Sequence, residues 1–320
     1  MRIVSFSAEN KPRLGLISSD GAEFKDLTSA DGRTFSSLNS AIIAATTEGL
    51  SVEELIRRKT KSTRLPSLRA SEAKLLIPLV PDEVWCGGVT YAKSRDARER
   101  EQRSKGIYEY VLTAKRPELF FKATASRCMG PEDYIAVRSD SRWTVPEPEL
   151  GVVLSGTGEV VGYTVADDVS ARDIEGESPL YLPQAKIYDN SCSIGPCVTT
   201  PESIRNPANL SVAMKIIRKG HVAFEDSTST ARMVRSVEHL VSYLQRDYSL
   251  PPSIVLMTGT GIVPPDKFSL KGGDVVEIEI EGIGRLRNTV KQLRPRRRIS
   301  GKRVGNAAAL GCGYQRQYPM

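Results

Sequence analysis

The chain has 320 residues, 40% of them hydrophobic, with no apolar run near the roughly 18 residues of a membrane span, so a globular chain with no membrane partner is expected. Its start, MRIVSFSAENKPRLG, has neither an apolar core nor a small-residue cleavage site, so no secretory signal is expected and a cytoplasmic protein is. Of the 45 Lys/Arg behind the net charge of +7, eight fall in 291–320 without an acid among them, leaving 37 basic against 38 acidic residues in 1–290 and excluding a broad nucleic-acid surface on the body.

Taken in order, residues 1–76 read as a small N-terminal α+β domain. RIVSF and LGLISS have strand texture, Ser19-Asp20-Gly21 is a turn, and SSLNSAIIAATTEGL followed by SVEELIRRK is helical. STRLPSLRASEAKLLIPLVPDEV, with three prolines, predicts an extended crossing segment.

Residues 77–290 form a larger, β-rich unit. VWCGGVTY is a buried-strand run, YAKSRDAREREQRSKG a densely charged, solvent-exposed helix, and PELFFKA a short strand. YIAVR, LGVVLS and VVGYTVADDVS are further strands. Residues 228–246 predict a helix with Met233, Val237, Leu240, Val241 and Leu244 on one face and Thr230 as its cap. SIVLMTGTGIV and VVEIEIEGIGRLRN close the unit; in the latter Val276, Ile278 and Ile280 alternate with glutamates, and Gly282 and Gly284 suit a hairpin. Residues 291–320 are a basic tail, read as a solvated extension and the one part suited to nucleic acid or an acidic partner. Cys86, Cys128, Cys192, Cys197 and Cys312 are few, odd in number and scattered, which predicts free thiols; with two histidines, a zinc site is not expected.

The chemistry begins at VPEPELGVVL. Residues two apart on a strand point the same way, so Glu147 and Glu149 converge, and like charges this close repel unless something positive lies between them. A hard dication resolves the conflict, and carboxylate oxygens suit Mg²⁺, Mn²⁺ or Ca²⁺. The plainer reading is a solvent-facing edge strand. GYTVADDVSARDIE adds Asp167, Asp168 and Asp173 with Arg172 among them; a returning strand brings residues 149 and 168 within reach, although an acidic pair there also suits a turn cap. Lys186, after a turn and among apolar residues, suits acid–base work near a metal, but taken alone reads as a surface lysine.

The order E-P-E-L, G-Y-T-x-A-D-D-x-S-A-R-D, A-K-x-Y-D and M-T-G-T-G closely resembles the fumarylacetoacetate hydrolase family over about residues 80–290. The resemblance implies an α+β, β-rich fold: a catalytic domain of mixed β-sheets behind a small N-terminal α+β domain, assembled as a homodimer or homotetramer. It implies a divalent metal on Glu147, Glu149 and Asp168, with Lys186, Arg172, Gly259 and Thr260 at the same site. Members act on a 2-oxo acid, a small-molecule substrate whose carboxylate and keto oxygens chelate magnesium and so stabilise an enolate. Hydrolytic members carry N-Y-x-x-H-x-x-E on a lid helix; here Thr90–Ala97 puts Ser94 at the histidine position and Ala97 at the glutamate position, and the charged segment 92–105 is the lid.

G-G-V-T-Y-x-x-S-R (Gly87–Arg95), P-E-L-F-F-K and S-T-A-R-M (Ser229–Met233) instead resemble a branch that dehydrates 2-keto-3-deoxy-pentonates. That likeness implies Lys186 as base, Glu118 as acid, Ser94 as a substrate contact and 2,5-dioxopentanoate as product. Two alternatives stay open: C–C bond hydrolysis of a 2,4-dioxo acid, and a non-catalytic scaffold whose basic tail binds a partner.

Overall fold

Strand-forming runs dominate the computed structural model of the chain, which describes residues 1–101 and 106–295. In chain order the strands are β1 (Arg2–Ala8), β2 (Lys11–Ile17), β3 (Glu23–Asp26), β4 (Ser67–Arg69), β5 (Lys74–Leu76), β6 (Glu83–Gly88), β7 (Glu118–Ala123), β8 (Cys128–Met129), β9 (Tyr134–Val137) and β10 (Thr144–Val145). There follow β11 (Pro148–Ser155), β12 (Val160–Asp168), β13 (Ser170–Ala171), β14 (Cys192–Thr199), β15 (Ser211–Arg218), β16 (His221–Ser229), β17 (Ser253–Met257), β18 (Val275–Ile280) and β19 (Gly284–Gln292). The helices are α1 (Leu38–Glu48), α2 (Val52–Thr60), α3 (Ala92–Glu101), α4 (Ile107–Thr113), α5 (Arg172–Glu177), α6 (Leu182–Lys186) and α7 (Val237–Leu244).

One large mixed sheet runs β4-β3-β2-β1-β14-β12-β11-β17-β6-β7, with β5 added to β1 and β8 to β14. A second sheet runs β16-β15-β18-β19-β9. Within the large sheet β11, between β12 and β17, is buried at every position, as expected for a strand covered on both faces. Leu150, Val152 and Leu154 face Val212, Ile216, Ile278 and Ile280 of the second sheet. Val153 and Ala166 point the other way, toward Ile42 of α1 and Leu55 and Ile56 of α2. The β11–β12 pair is thus held between two apolar layers, and the strand ends carrying acids are carried inward with it.

The alternation read in VVEIEIE is present: Val276, Ile278 and Ile280 are buried, and Gly282, at φ +76°, makes the turn into β19. The helix expected over 228–246 is shorter. It starts at Val237 on the Ser236 cap, whose hydroxyl accepts the His239 N–H at 3.2 Å. Pairing of β16 with β15 as far as Ser229 holds the preceding residues extended, and Thr230 bonds Leu210 and Pro207 instead of capping a helix. The three-proline segment supplies β4 and β5, and the strands of the first 76 residues continue the large sheet through Arg2↔Thr199 and Ile3↔Val198. Cys86, Cys128, Cys192 and Cys197 are free and buried; Cys312 and most of the basic tail lie outside the described residues. Among the described residues no helix is long and apolar enough to cross a membrane.

Candidate metal centre and its cleft

Antiparallel pairing of β11 with β12 sets Glu149 opposite Ala166, and the Asp168 N–H donates to the Glu147 carbonyl at 3.0 Å. Period two then turns Glu147, Glu149 and Asp168 to one side. A carboxylate oxygen from each lies within 4.8 Å of the others, and all three residues are buried. Asp167 points to the opposite face and accepts the Glu147 N–H at 3.0 Å. The solvent-facing edge strand is therefore set aside.

Cations surround two of the three acids. Lys186, 3% exposed and no surface lysine, donates from Nζ to Glu147 Oε2 (3.1 Å), Asp168 Oδ2 (2.8 Å) and Ser170 Oγ (2.6 Å). Lys122, fully buried, lies 2.5 Å from Asp168 Oδ1 and donates to the Val169 and Lys186 carbonyls. Arg172 Nε lies 3.3 Å from Glu147 Oε1, and its Nη1 donates to Glu101 Oε2 at 2.8 Å. Burial opposes ionisation of Asp168, but Lys122 and Lys186 outweigh it and hold that carboxyl below its ordinary range. Burial likewise works against the Lys186 ammonium, and Asp168 and Glu147 more than offset it, so Lys186 keeps its proton.

Glu149 differs. Its Oε2 accepts the Gly259 N–H at 2.5 Å, and among the described residues no lysine or arginine pairs with it. Burial, then Asp168 and Glu147, push its carboxyl well above the carboxylate range. An all-oxygen set with one carboxylate short of positive charge fits a hard divalent ion such as Mg²⁺.

These acids open into a narrow cleft. Five carboxyl groups line it (Glu118, Glu147, Glu149, Asp168 and Glu175) against two cations, Arg98 and Lys186, an oxygen-rich wall that suits a dication. Glu118, at the start of β7, pairs with Gly88 of β6, where a Cβ would overlap its carboxylate. Burial, and after it the nearby Glu175, push Glu118 up to about 7. Gly259, at φ +91°, sits where a Cβ would overlap the Thr90 hydroxyl, and Thr260 lines the cleft beside it. A larger groove of about 440 Å³ beside Glu53 and Glu159 has no comparable convergence; Glu53 is already bonded to Arg57 and Thr200.

Helix α3 corrects the sequence reading. It is no solvated helix: Ser94, Ala97 and Arg98 are buried, because Arg98 finds three carboxylates in the interior. Ser94 lines the cleft; Ala97 is buried, and no histidine is among the lining residues. His239 stacks on Tyr243 and sits 3.2 Å from the Lys115 carbonyl. Residues 102–105 of the expected lid lie outside the described residues. Arg98, Tyr108, Lys122 and Glu175 were absent from the sequence-based set. For Lys122 a signal existed: Glu118, Phe120 and Lys122 share one strand face.

The family model described as fumarylacetoacetate (FAA) hydrolase C-terminal matches residues 83–291. The chain is 50% identical, over 83% of its length and 91% of the relative's, to a probable 2-keto-3-deoxyxylonate dehydratase of Haloferax volcanii. It is 48% identical, over 72% of its length and 78% of the relative's, to a 2-dehydro-3-deoxy-D-arabinonate dehydratase of Saccharolobus solfataricus. A solved 2-keto-3-deoxy-D-arabinonate dehydratase, complexed with magnesium and 2,5-dioxopentanoate, superposes with a TM-score of 0.76 at 37% identity, covering 92% of this chain and 100% of that one.

Proposed function

The chain belongs to the fumarylacetoacetate hydrolase family, and on that premise we propose that it is a metal-dependent hydro-lyase converting a 2-dehydro-3-deoxy-pentonate into 2,5-dioxopentanoate and water. What supports the reading is the meeting of Glu147, Glu149, Asp168, Lys186 and Glu118 in one buried cleft of a chain half identical to a dehydratase.

Glu147, Glu149 and Asp168 would hold the divalent ion. Such an ion supplies Lewis-acid charge to the carboxylate and keto oxygens of a 2-oxo acid, which acidifies the neighbouring carbon. Glu118, raised to about 7 and so still protonated in a large share of molecules near neutral pH, is suited to give a proton to the departing C4 hydroxyl. Lys186 is the base assigned to the C3 proton. Its ammonium is held by Glu147 and Asp168, the same carboxylates a dication would engage, and once their charge is engaged the amine can release its proton. Loss of the C3 proton and the C4 hydroxyl leaves the C3–C4 unsaturated 5-hydroxy-2-oxo acid; moving a proton from C5 to C3 then gives the C4–C5 enol, which tautomerises to the dioxo acid. Ser94, Gly259 and Thr260 contribute polar wall for the substrate, and Arg172 buttresses Glu147. The family resemblance also supports a cytoplasmic homodimer or homotetramer, for which analytical ultracentrifugation is the check.

The decisive assay incubates the purified chain and Mg²⁺ with both enantiomers of 2-dehydro-3-deoxy-pentonate, and separately with acylpyruvates. Formation of 2,5-dioxopentanoate, abolished by a chelator and restored by Mg²⁺, is expected. Pyruvate release from acylpyruvates without dehydration of either enantiomer would overturn the reading in favour of C–C hydrolysis.

A further inference from the structure

Arg98 makes three separate ion pairs from three nitrogens. Nη2 donates to Glu147 Oε1 at 2.9 Å, Nη1 donates to Glu101 Oε2 at 2.8 Å, and Nε lies 3.1 Å from Glu175 Oε1. Its partners come from three places: the residue preceding β11, the end of α3 itself, and α5. The side chain is 4% exposed, on a helix whose other residues are mostly polar. Arg172 repeats two of these links, reaching Glu101 and the same oxygen of Glu147.

Burying such a network does not by itself stabilise a fold, because desolvation of the ions rivals their attraction. Its geometry has a different consequence. Arg98 hydrogen-bonds Glu147 Oε1 and the Arg172 guanidinium lies 3.3 Å from the same oxygen, which restrains rotation of the carboxylate and leaves Oε2 facing Lys186. The charge of Arg98 is met by Glu101 and Glu175, so its main effect on Glu147 is one of direction. Only a planar fork serves three carboxylates at once; a lysine ammonium in its place would be a single point charge on a flexible stem.

We propose that Arg98 is a positioning residue that sets the orientation of Glu147 for metal binding and ties that orientation to the seating of α3. The inference rests on the reading of Glu147, Glu149 and Asp168 as a metal centre. Linkage requires the effect to run both ways: a seated α3 favours the ion, and the ion favours a seated α3.

The test uses the full chain without substrate. Mn²⁺ is titrated by electron paramagnetic resonance into the wild type and into Arg98→Lys, Arg98→Gln, Glu101→Gln, Glu147→Gln and Asp168→Asn. Hydrogen exchange of residues 92–101 is followed with and without Mn²⁺. Both Arg98 variants are expected to bind Mn²⁺ about 10–100-fold more weakly, the range seen when the partners of metal ligands are removed. Mn²⁺ is expected to slow exchange in α3 of the wild type and not of these variants. Wild-type affinity in a folded Arg98→Lys chain, with binding lost in Glu147→Gln and Asp168→Asn, overturns this inference and leaves the metal centre standing. Wild-type affinity in the latter two overturns the metal centre itself. Should both Arg98 variants fail to fold, Glu101→Gln decides: a weaker Mn²⁺ site with α3 no longer responsive to the ion supports the proposal, and unchanged values overturn it.

Discussion

Along one stretch of chain, Leu150, Val152 and Leu154 are buried against the second sheet, while Glu147 and Glu149, at the other end of the same strand, are buried among charges. At the apolar end burial is favourable in itself, about 25 cal/mol for each Å² removed from water. At the acidic end burial is unfavourable, and Lys122, Lys186, Arg98 and Arg172 offset it without turning it into a clear gain. The strand therefore carries apolar burial in one half and the proposed metal ligands in the other. The apolar half holds the acids where water cannot screen them.

Removing Asp168 should break this arrangement most severely. Asp168→Ala strands the buried Lys122 and Lys186, and a stability loss of about 3–5 kcal/mol in urea melts is expected, together with loss of any Mg²⁺-induced rise in Tm. Glu149→Gln sharpens the contrast. Because the Glu149 carboxylate is already disfavoured, the metal-free variant should melt no lower than the wild type while the Mg²⁺ response vanishes. A normal Mg²⁺ response in either variant would remove the triad from the centre.

Leu150→Ala attacks the other half. A loss of about 2–5 kcal/mol is expected from the lost burial and the cavity left behind, with Mn²⁺ affinity per folded molecule nearly unchanged. An equal loss of affinity would mean that the two halves are not separable.

The smallest effect concerns protons. Glu118 ordinarily ionises near 4.5 and is raised to about 7 in the fold, so the folded chain binds the extra proton between those values. Its contribution to stability is complete below about 4.5 and is lost as pH rises through about 7. Metal-free Glu118→Gln should show a shallower fall of Tm between pH 5 and pH 8 than the wild type, on the order of a few degrees. Glu101 and Asp167, both also held near 7, will retain part of that slope. The variant should also lose the alkaline limb of turnover; an identical pH–rate profile would remove Glu118 from proton transfer.

How far the site could be read beforehand follows the range of the forces involved. Glu147, Glu149 and Asp168 were legible because their convergence is local: a two-residue period on one strand and a short return to the next. Lys186 was legible through its motif, though its burial was not. Arg98 was not, because a helix rich in Arg, Lys and Glu has the composition of a solvated surface, and only the carboxylates of β11 and α5 draw one arginine inward. The long helix expected over 228–246 failed for a related reason: Thr228 and Ser229 are paired as strand with β15, and the helix starts only at the Ser236 cap.

By itself, then, the order of residues determined the alternation that makes the strands, the acidic pair that opens β11, and the glycines that admit Glu118 and Thr90 beside the backbone. The tertiary structure alone decided which charges would be buried together. Period and propensity act over a few residues, whereas the field that holds Asp168 ionised and Glu118 protonated is summed over side chains from β7, β12, α3, α5 and α6.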